Sequence, residues 1–250
     1  MKALPDPPSF DPARSALLVI DMQRDFCAPG GYADRAGLDV ARLAGPILQI
    51  QRLLAAARGV GMPVFHTREG HLPDLSDCPP EKLQRSLRAG AAIGSTGPLG
   101  RLLVRGERGH DFIDELRPLP AESVIDKPGY SAFAHTDLAQ RLQQQRVTDL
   151  ILCGVTTEVC VHSTLRDAVD RGYRCTTVDD ACAASDLALQ AAALAMIAVE
   201  GGIFGAVAST AQVVAALKAR PAHAAPARPD PPGPPGPPCQ PYPPDPRTTA

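Results

Sequence analysis

The sequence has little net charge, no long apolar run and no two cysteines at CxxC spacing. Its formal net charge at pH 7 is -2 over 250 residues. It therefore lacks the basic footprint of proteins that bind nucleic acid or anionic lipid. The longest apolar runs, ALLVI and LILCGV, fall well short of the roughly 18 residues that a transmembrane helix needs. We expect a protein that binds neither nucleic acid nor membrane.

Several common sites and signals are also missing. The first residues, MKALPDPPSFDPARS, contain no apolar segment of the kind that secretory signals carry. The seven cysteines form no CxxC pair, and His66 and His71 do not have zinc-ligand spacing. No GxGxxG loop opens a helix after a strand, and no GxSxG motif is present. We predict reduced thiols, a cytoplasmic location, and neither a metal nor a cofactor.

Proline is concentrated at one end of the chain. Residues 221–250 hold about half of the 27 prolines and almost no aliphatic side chain. Such a segment cannot bury enough apolar surface to offset its ordering entropy. We predict one domain over residues 1–220 and a proline-rich disordered tail over 221–250.

Short apolar runs alternate with helical patterns between these limits. Residues 15–21 (SALLVID) form a continuous apolar run closed by an aspartate, which is typical of a strand buried on both faces. Further strands are predicted at 63–67, 123–126, 149–154, 174–178 and 203–207. Helices are predicted at 44–59, 136–145, 159–171, 186–199 and, from the N-cap Ser209, 209–218. This alternation predicts an α/β protein with a parallel sheet covered by helices on both faces, and a long excursion at 70–109.

Three reactive side chains fall at the carboxyl ends of these strands. Asp21 and Lys127 each close a strand, and Cys160 follows the strand DLILCG at the mouth of a helix. Ligands of open α/β sheets bind at this edge. A thiol in a first helical turn near an ammonium group is expected to have a lowered pKa. A carboxyl at the end of an apolar strand is expected to have a raised pKa.

Each residue also has an ordinary structural interpretation. Cys160 fits a buried small hydrophobe, Asp21 fits a helix cap or a partner of Arg24, and Lys127 fits a surface lysine. A non-catalytic α/β binding domain therefore stays open as an alternative. What favours catalysis is that all three lie at equivalent places in the predicted architecture.

The segments around these residues resemble a known family. LLVIDMQRDFC, the lysine of DKPGYSAF, and GVTTEVCVHSTLRDAVDRGY are similar to the signature segments of isochorismatase-like cysteine hydrolases. The resemblance implies a mostly parallel six-stranded sheet in a Rossmann-like three-layer fold, a homotetramer, and a catalytic triad of Asp21, Lys127 and Cys160. It also implies a cis peptide between Val155 and Thr156, with the backbone N–H groups of Thr156 and Cys160 as the oxyanion hole.

Other segments resemble one branch of this family, the biuret hydrolases and their triuret-cleaving relatives. These segments are DFCAPGGY, HTREGHLPDL, RSLRAGAAIG, GPLGRLLVRGE and EGGIFGAV. Tyr130 stands where that branch implies a lysine, and Glu200 stands where it implies a substrate-binding glutamine. We predict an amidohydrolase that cleaves biuret or triuret through a cysteine thioester and releases ammonia, with Phe26, Tyr130 and Glu200 at the substrate.

The triad implies a mechanism with one base and one fixed cation. The Cys160 thiolate attacks the carbonyl, and Asp21, having taken the thiol proton, returns it to the departing nitrogen and then activates water. Lys127 stays cationic throughout. An alternative within the family is an amidohydrolase of N-carbamoyl amino acids or ureidoacrylate. That substrate carries a carboxylate, for which Arg68, Arg85 and Arg88 are candidate partners.

Overall fold

The fold is built around a parallel sheet whose central strands are buried on both faces. The structure is a computed structural model and describes residues 9–219. Six strands pair in the order β5-β2-β1-β6-β7-β8, every neighbouring pair being parallel. Their bounds are β1 Ser15–Ile20, β2 Val64–Glu69, β5 Ser123–Lys127, β6 Asp149–Val155, β7 Arg174–Ala183 and β8 Ala206–Ala208. The predicted α/β fold with a six-stranded parallel sheet is confirmed.

Helices follow the strands and bury one face each. In the helix Ile47–Gly59, the side chains of Ile50, Leu53, Leu54 and Ala57 recur at helical spacing and are buried. The helices are α1 Arg24–Cys27, α2 Tyr32–Arg35, α3 Val40–Ala44, α4 Ile47–Gly59, α5 Pro80–Arg88, α6 Leu138–Gln144, α7 His162–Asp170, α8 Leu187–Ile197 and α9 Thr210–Lys218. Ser209 caps α9 as predicted, in a capping box with Gln212.

Several predicted bounds were wrong, and three of the errors concern the site. Strand β2 runs on to Glu69 rather than ending at Thr67, and β5 includes Lys127. The predicted helix 159–171 is a π-helical turn, Thr157–Val161, followed by α7. Periodicity locates elements but not their ends, because tertiary hydrogen bonds decide where a strand stops pairing.

The long excursion after β2 has structure of its own. It contains α5 and a small antiparallel pair, β3 Thr96–Gly97 with β4 Gly100–Arg101. Its anchor is the buried carboxylate of Asp25, which accepts hydrogen bonds from the backbone N–H groups of Tyr32 and Leu103. The excursion is therefore fixed against the turn that follows β1.

Two sequence predictions concern regions or properties beyond this fold. The proline-rich tail at 221–250 lies outside the described residues. Within residues 9–219, no helix is both long and apolar enough to cross a membrane. The cytoplasmic location stays a prediction.

Candidate active site

Four neighbouring strands bring four polar or reactive side chains to one edge of the sheet. In spatial order, β5 ends at Lys127, β2 ends at Glu69, β1 is followed by Asp21, and β6 leads into the turn that carries Cys160. Glu69 and Lys127 are direct partners in the β2–β5 register. The parallel arrangement brings all four carboxyl ends together, because every strand runs in the same direction.

The three predicted catalytic residues lie in contact. The Lys127 ammonium is 2.8 Å from Asp21 Oδ2 and 3.5 Å from Cys160 Sγ. Asp21 and Lys127 are wholly inaccessible to solvent, and Cys160 is 4% exposed. Lys127 is therefore no surface lysine, and Arg24 pairs with Asp111 and Asp114 rather than with Asp21.

Asp21 is held by the strand beside it. Its φ of 51° is in the left-handed region, which aspartate tolerates better than most residues. Its backbone N–H donates to the Thr67 carbonyl at 3.2 Å, and the Thr67 hydroxyl donates to Asp21 Oδ1 at 2.5 Å. Both carboxylate oxygens are thus engaged, one by Thr67 and one by Lys127.

Glu69 is a member of this cluster that the sequence reasoning missed. Its Oε2 accepts a hydrogen bond from the Cys160 thiol at 3.2 Å and lies 3.5 Å from Lys127 Nζ. Gln23 fixes its backbone, accepting from the Glu69 N–H at 2.7 Å and donating to the Glu69 carbonyl at 3.0 Å. The sequence carried a signal for it, since a β2 strand two residues longer than predicted ends at Glu69, at the same edge of the sheet as Asp21 and Lys127.

A second lysine joins the cluster from the excursion. Lys82 Nζ, on α5, is 2.6 Å from Glu69 Oε1 and donates to the Pro128 carbonyl at 2.6 Å. It also lies 4.9 Å from the centroid of the Tyr130 ring. Nothing in the local sequence marks Lys82, because a lysine on a short polar helix is ordinarily a solvated side chain.

Charge and burial set the protonation of this cluster. Burial raises the pKa of Asp21 from its ordinary value, with Lys127 acting in the opposite sense. Burial would also raise the pKa of Glu69, but the ammonium groups of Lys127 and Lys82 outweigh it and hold that pKa below its usual range. For Lys127, burial acts to lower the pKa, and the negative charges of Asp21, Cys160 and Glu69 reverse this and raise it. The two carboxyls therefore have pKa values shifted in opposite directions.

The expected lowering of the Cys160 pKa was wrong. Burial raises the pKa of this thiol well above its ordinary value, and Lys127 offsets only part of the effect. A helix terminus and one ammonium group do not outweigh complete desolvation beside two carboxylates. Cys160 is consequently a protonated thiol in this cluster.

The turn that carries Cys160 has an unusual backbone. The peptide bond between Val155 and Thr156 is cis, and the π-helical turn begins directly after it. The carbonyl of Thr156 accepts from the N–H groups of both Val159 and Val161. Just before this turn, Gly154 has φ 115°, and a Cβ there would collide with the carbonyl oxygen of Ile20. Only glycine lets β6 pass this close to β1 next to the site.

The three predicted substrate-binding residues lie in different surroundings. Phe26 is buried on α1 and packs edge-on against Tyr32. Tyr130 is 36% exposed and lies over Lys82 at the rim. Glu200 is exposed in the turn after α8, and it takes no part in the ion pairs and hydrogen bonds described for Asp21, Lys127 and Cys160.

The three candidate arginines for a substrate carboxylate also differ. Arg68 already binds Asp126 through two hydrogen bonds of 2.7 and 3.0 Å. Arg88 is 3.0 Å from Glu81. Arg85 makes only long contacts, 3.5 Å from the Tyr130 hydroxyl and 4.0 Å from Glu81. Arg85 thus has the most capacity left for another anion.

The cluster also contains a set of metal-type ligands. Single ligand atoms of Asp21, Glu69 and Cys160 all lie within 4.8 Å of one another. The ammonium of Lys127 contacts the same three side chains. It supplies the positive charge that a bound metal ion would otherwise provide. The donor set is therefore explained by an internal cation, and the absence of a metal stays a prediction.

Comparisons with known proteins agree with this geometry. A family model described as the isochorismatase domain matches residues 15–212. The ureidoacrylate amidohydrolase RutB of Methylobacterium radiotolerans is 36% identical over 223 residues, which are 87% of this chain and 84% of that protein. RutB of Yersinia enterocolitica is 36% identical over 197 residues, 77% of this chain and 86% of that protein.

Solved structures show the same fold. A cysteine hydrolase from Pseudomonas syringae pv. phaseolicola has a TM-score of 0.74 at 30% identity, covering 87% of this chain and 99% of that one. An N-carbamoylsarcosine amidase from Thermoplasma acidophilum has a TM-score of 0.60 at 26% identity, covering 79% and 96%. The names of the two RutB proteins and of the N-carbamoylsarcosine amidase match the predicted alternative, a ureido-acid amidohydrolase, rather than biuret or triuret hydrolase.

Proposed function

Because the chain belongs to the isochorismatase family, we propose that it is a cysteine amidohydrolase that cleaves a C–N bond of a small ureido acid such as ureidoacrylate. The observation that carries this proposal is the contact of Cys160 Sγ with Lys127 Nζ at 3.5 Å, beside the carboxylates of Asp21 and Glu69. The site combines a nucleophile, carboxylates for proton transfer and a fixed cation, which are the parts that amide hydrolysis through a thioester requires.

The reaction has two halves. In the first, the Cys160 sulfur attacks the ureido carbonyl, and the N–H groups of Thr156 and Cys160 stabilise the oxyanion. The thiol proton passes through a carboxylate to the departing nitrogen. In the second half, Asp21 activates a water molecule that hydrolyses the thioester. Lys127 remains an ammonium group, because the anions around it raise its pKa.

The carboxylate of a ureido acid has a partner at the rim of the site. Lys82 and Arg85 are three positions apart on α5 and so lie on one face of that helix. Lys82 points inward to Glu69, and Arg85 lies beside the Tyr130 hydroxyl and is half exposed. We assign the substrate carboxylate to Arg85 and the Tyr130 hydroxyl, with the ureido carbonyl directed inward to Cys160.

An ammonia-release panel tests the proposal. The substrates are ureidoacrylate, N-carbamoylsarcosine, biuret, triuret and nicotinamide, with Cys160→Ser as the blank. We expect the highest kcat/KM on a ureido acid. Turnover of biuret or triuret alone would refute the ureido-acid assignment and restore the branch that the sequence resembles. Turnover of none of these substrates would contradict a ureido amidohydrolase.

A variant at the rim tests the carboxylate contact separately. Arg85→Met should raise KM for ureidoacrylate about tenfold or more and leave kcat/KM for biuret within about twofold, because biuret has no carboxylate. Arg88→Met is the matched control, since Arg88 is on the same helix but pairs with Glu81. Equal effects of the two variants would contradict the assignment.

A further inference from the structure

The nucleophile of the proposed reaction lies on a short turn that also supplies the oxyanion donors. This π-helical turn, Thr157–Val161, follows β6 and contains Cys160. The proposed donors are the N–H groups of Thr156, just before the turn, and of Cys160 within it. Such donors act only when they are about 2.7–3.1 Å from the oxygen that they stabilise. The position of the turn therefore decides how well the oxyanion is stabilised.

Glu158 ties the turn to the chain that follows β7. Its Oε1 accepts two hydrogen bonds from Ser185, one from the backbone N–H at 2.9 Å and one from the hydroxyl at 2.6 Å. The other oxygen, Oε2, is buried and has no hydrogen-bond partner within residues 9–219. One oxygen of Glu158 thus makes the whole contact, and the oxygen of a neutral amide can accept the same two hydrogen bonds.

Gln190, on α8, makes a second tie to the turn. Its Oε1 accepts a hydrogen bond from the Thr157 hydroxyl at 2.6 Å. Its amide nitrogen donates to the backbone carbonyls of Asp179 and Cys182, both at 3.3 Å. Because carbonyl oxygens only accept, these two contacts fix which end of the amide faces Thr157. Gln190 therefore joins the turn to both β7 and α8.

A third contact holds the residue that follows the turn. His162, the first residue of α7, has its Nε2 3.3 Å from the carbonyl oxygen of Ala193 on α8. Arg166 donates to His162 Nδ1 at 3.0 Å, so the ring proton is on Nε2, which donates to Ala193. Burial lowers the pKa of His162, which agrees with a neutral ring. The turn is thus fixed against α8 at both of its ends.

Building on the proposed function, we propose that Glu158, Ser185 and Gln190 are the positioning residues of the oxyanion hole. They hold the turn against β7 and α8, so that the N–H groups of Thr156 and Cys160 converge on the oxyanion. Reacting groups keep a productive geometry, to within about 0.5 Å, only when surrounding side chains lock them in place. A turn that lacks these hydrogen bonds keeps its thiol and loses part of the oxyanion stabilisation.

Two reactions of Cys160 separate the oxyanion hole from the thiol itself. With p-nitrophenyl acetate, the sulfur attacks a carbonyl, an oxyanion forms, and p-nitrophenol leaves as the acetyl thioester is made. With iodoacetamide, the sulfur displaces iodide from a saturated carbon, and no oxyanion forms. A variant that disturbs only the oxyanion hole therefore slows acylation and leaves alkylation unchanged. Peptide mass spectrometry follows both adducts at Cys160, and Cys160→Ser is the blank for p-nitrophenol release.

Glu158→Met and Gln190→Met should each lower the acylation rate constant about tenfold. Loss of a whole oxyanion donor typically costs about 10²–10³-fold, and these variants loosen the donors without removing one. Alkylation by iodoacetamide should stay within about twofold of the wild type. Gln143→Met, at an exposed position on α6, is the matched control and should change neither rate.

Two milder variants grade the effect. Glu158→Gln should acylate within about twofold of the wild type, because its amide oxygen accepts the same two hydrogen bonds from Ser185. Ser185→Ala keeps the backbone donor and loses the hydroxyl, so acylation should fall only about threefold, the effect of one hydrogen bond. Far-UV circular dichroism checks the folding of every variant, and Gln190→Met and Ser185→Ala carry the test where Glu158→Met does not fold.

Equal loss of both rates would overturn the proposal, because these residues would then hold the thiol rather than the oxyanion donors. Unchanged acylation in Glu158→Met and Gln190→Met would overturn it as well. A Glu158→Gln variant as slow as Glu158→Met would assign the effect to charge and contradict the hydrogen-bonded role. Wild-type acylation no faster than that of Cys160→Ser would remove the oxyanion hole itself. Neither reagent is a ureido acid, so failure of the substrate panel and failure of this proposal are separate outcomes.

Discussion

Two clusters of carboxylates and cations lie at different places on this sheet. Comparing the pKa values of their carboxyls distinguishes a cluster that stabilises the fold from one suited to proton transfer. In the candidate active site, Asp21, Glu69 and Lys127 are buried beside the thiol of Cys160. In the second cluster, Glu122 precedes β5 and accepts from Arg58 at 2.7 and 2.9 Å and lies 3.0 Å from His66. These partners lower the pKa of Glu122 to about 2, against a burial effect that would raise it. The pKa of Glu69 is lowered in the same way, whereas burial raises the pKa of Asp21, so only the candidate active site contains two carboxyls whose pKa values shift in opposite directions.

The largest effect should follow from removing the sulfur. Cys160→Ser should lower kcat at least about 10³-fold, because a serine hydroxyl in the same place is a far weaker nucleophile. Ammonia release from ureidoacrylate measures it. Cys175→Ser is a matched buried control that leaves the catalytic cluster intact, and it should keep activity within about twofold. Comparable loss in both variants would mean that the sulfur at 160 has no special role.

Breaking the buried ion pair should cost both activity and stability. Lys127→Met leaves Asp21 and Glu69 facing each other without their shared cation, and removal of one partner of a buried pair typically costs about 3–5 kcal/mol. Urea denaturation measures the loss in the free energy of unfolding. An unchanged midpoint would show that the buried charges are not coupled as the geometry indicates.

The second cluster should affect acid stability only. The pKa of Glu122 is about 2 in the folded state against an ordinary value of 4.5. Its stabilisation is therefore complete above about pH 4.5 and is lost as pH falls from there toward 2. Glu122→Gln should lack this part of the acid transition and keep kcat within about twofold. A large loss of activity would show that Glu122 also supports catalysis and would contradict the separation of the two clusters.

The smallest effect on chemistry should come from the exposed face of α8. This helix, LALQAAALAMI, has no charged residue, and Leu187 and Met196 are 71% and 47% exposed. An uncharged apolar face is complementary to a second copy of itself, so it is a candidate contact in the predicted homotetramer. Leu187→Lys should lower the molar mass seen by light scattering, while Leu48→Lys, a 64% exposed position on α4, should not. An equal mass in both variants would place the contact elsewhere.

Local sequence was sufficient for the fold and for three members of the site. The run SALLVI reads as a buried strand, and residues 16–20 of β1 are at most 1% exposed. Asp21, Lys127 and Cys160 were found because each lies at or just after the carboxyl end of a predicted strand. Glu69 was missed by ending β2 at Thr67, since polar residues at the end of a buried strand look like the start of a loop. Lys82 had no signal, because its contacts with Glu69 and the Pro128 carbonyl join α5 to the ends of β2 and β5 and follow from no local pattern.

The sequence by itself determined the order of strands and helices along the chain. Apolar strands that alternate with amphipathic helices are best buried as a parallel sheet covered by those helices. The carboxyl ends of the parallel strands then meet at one edge of the sheet. The tertiary structure alone decided the protonation of that edge. The pKa of Cys160 rises rather than falls because burial is a property of everything packed around the thiol. No local motif encodes the 3.2 Å contact between Cys160 and Glu69, since it joins the end of β2 to the turn after β6, and the pairing of the sheet brings these two segments together.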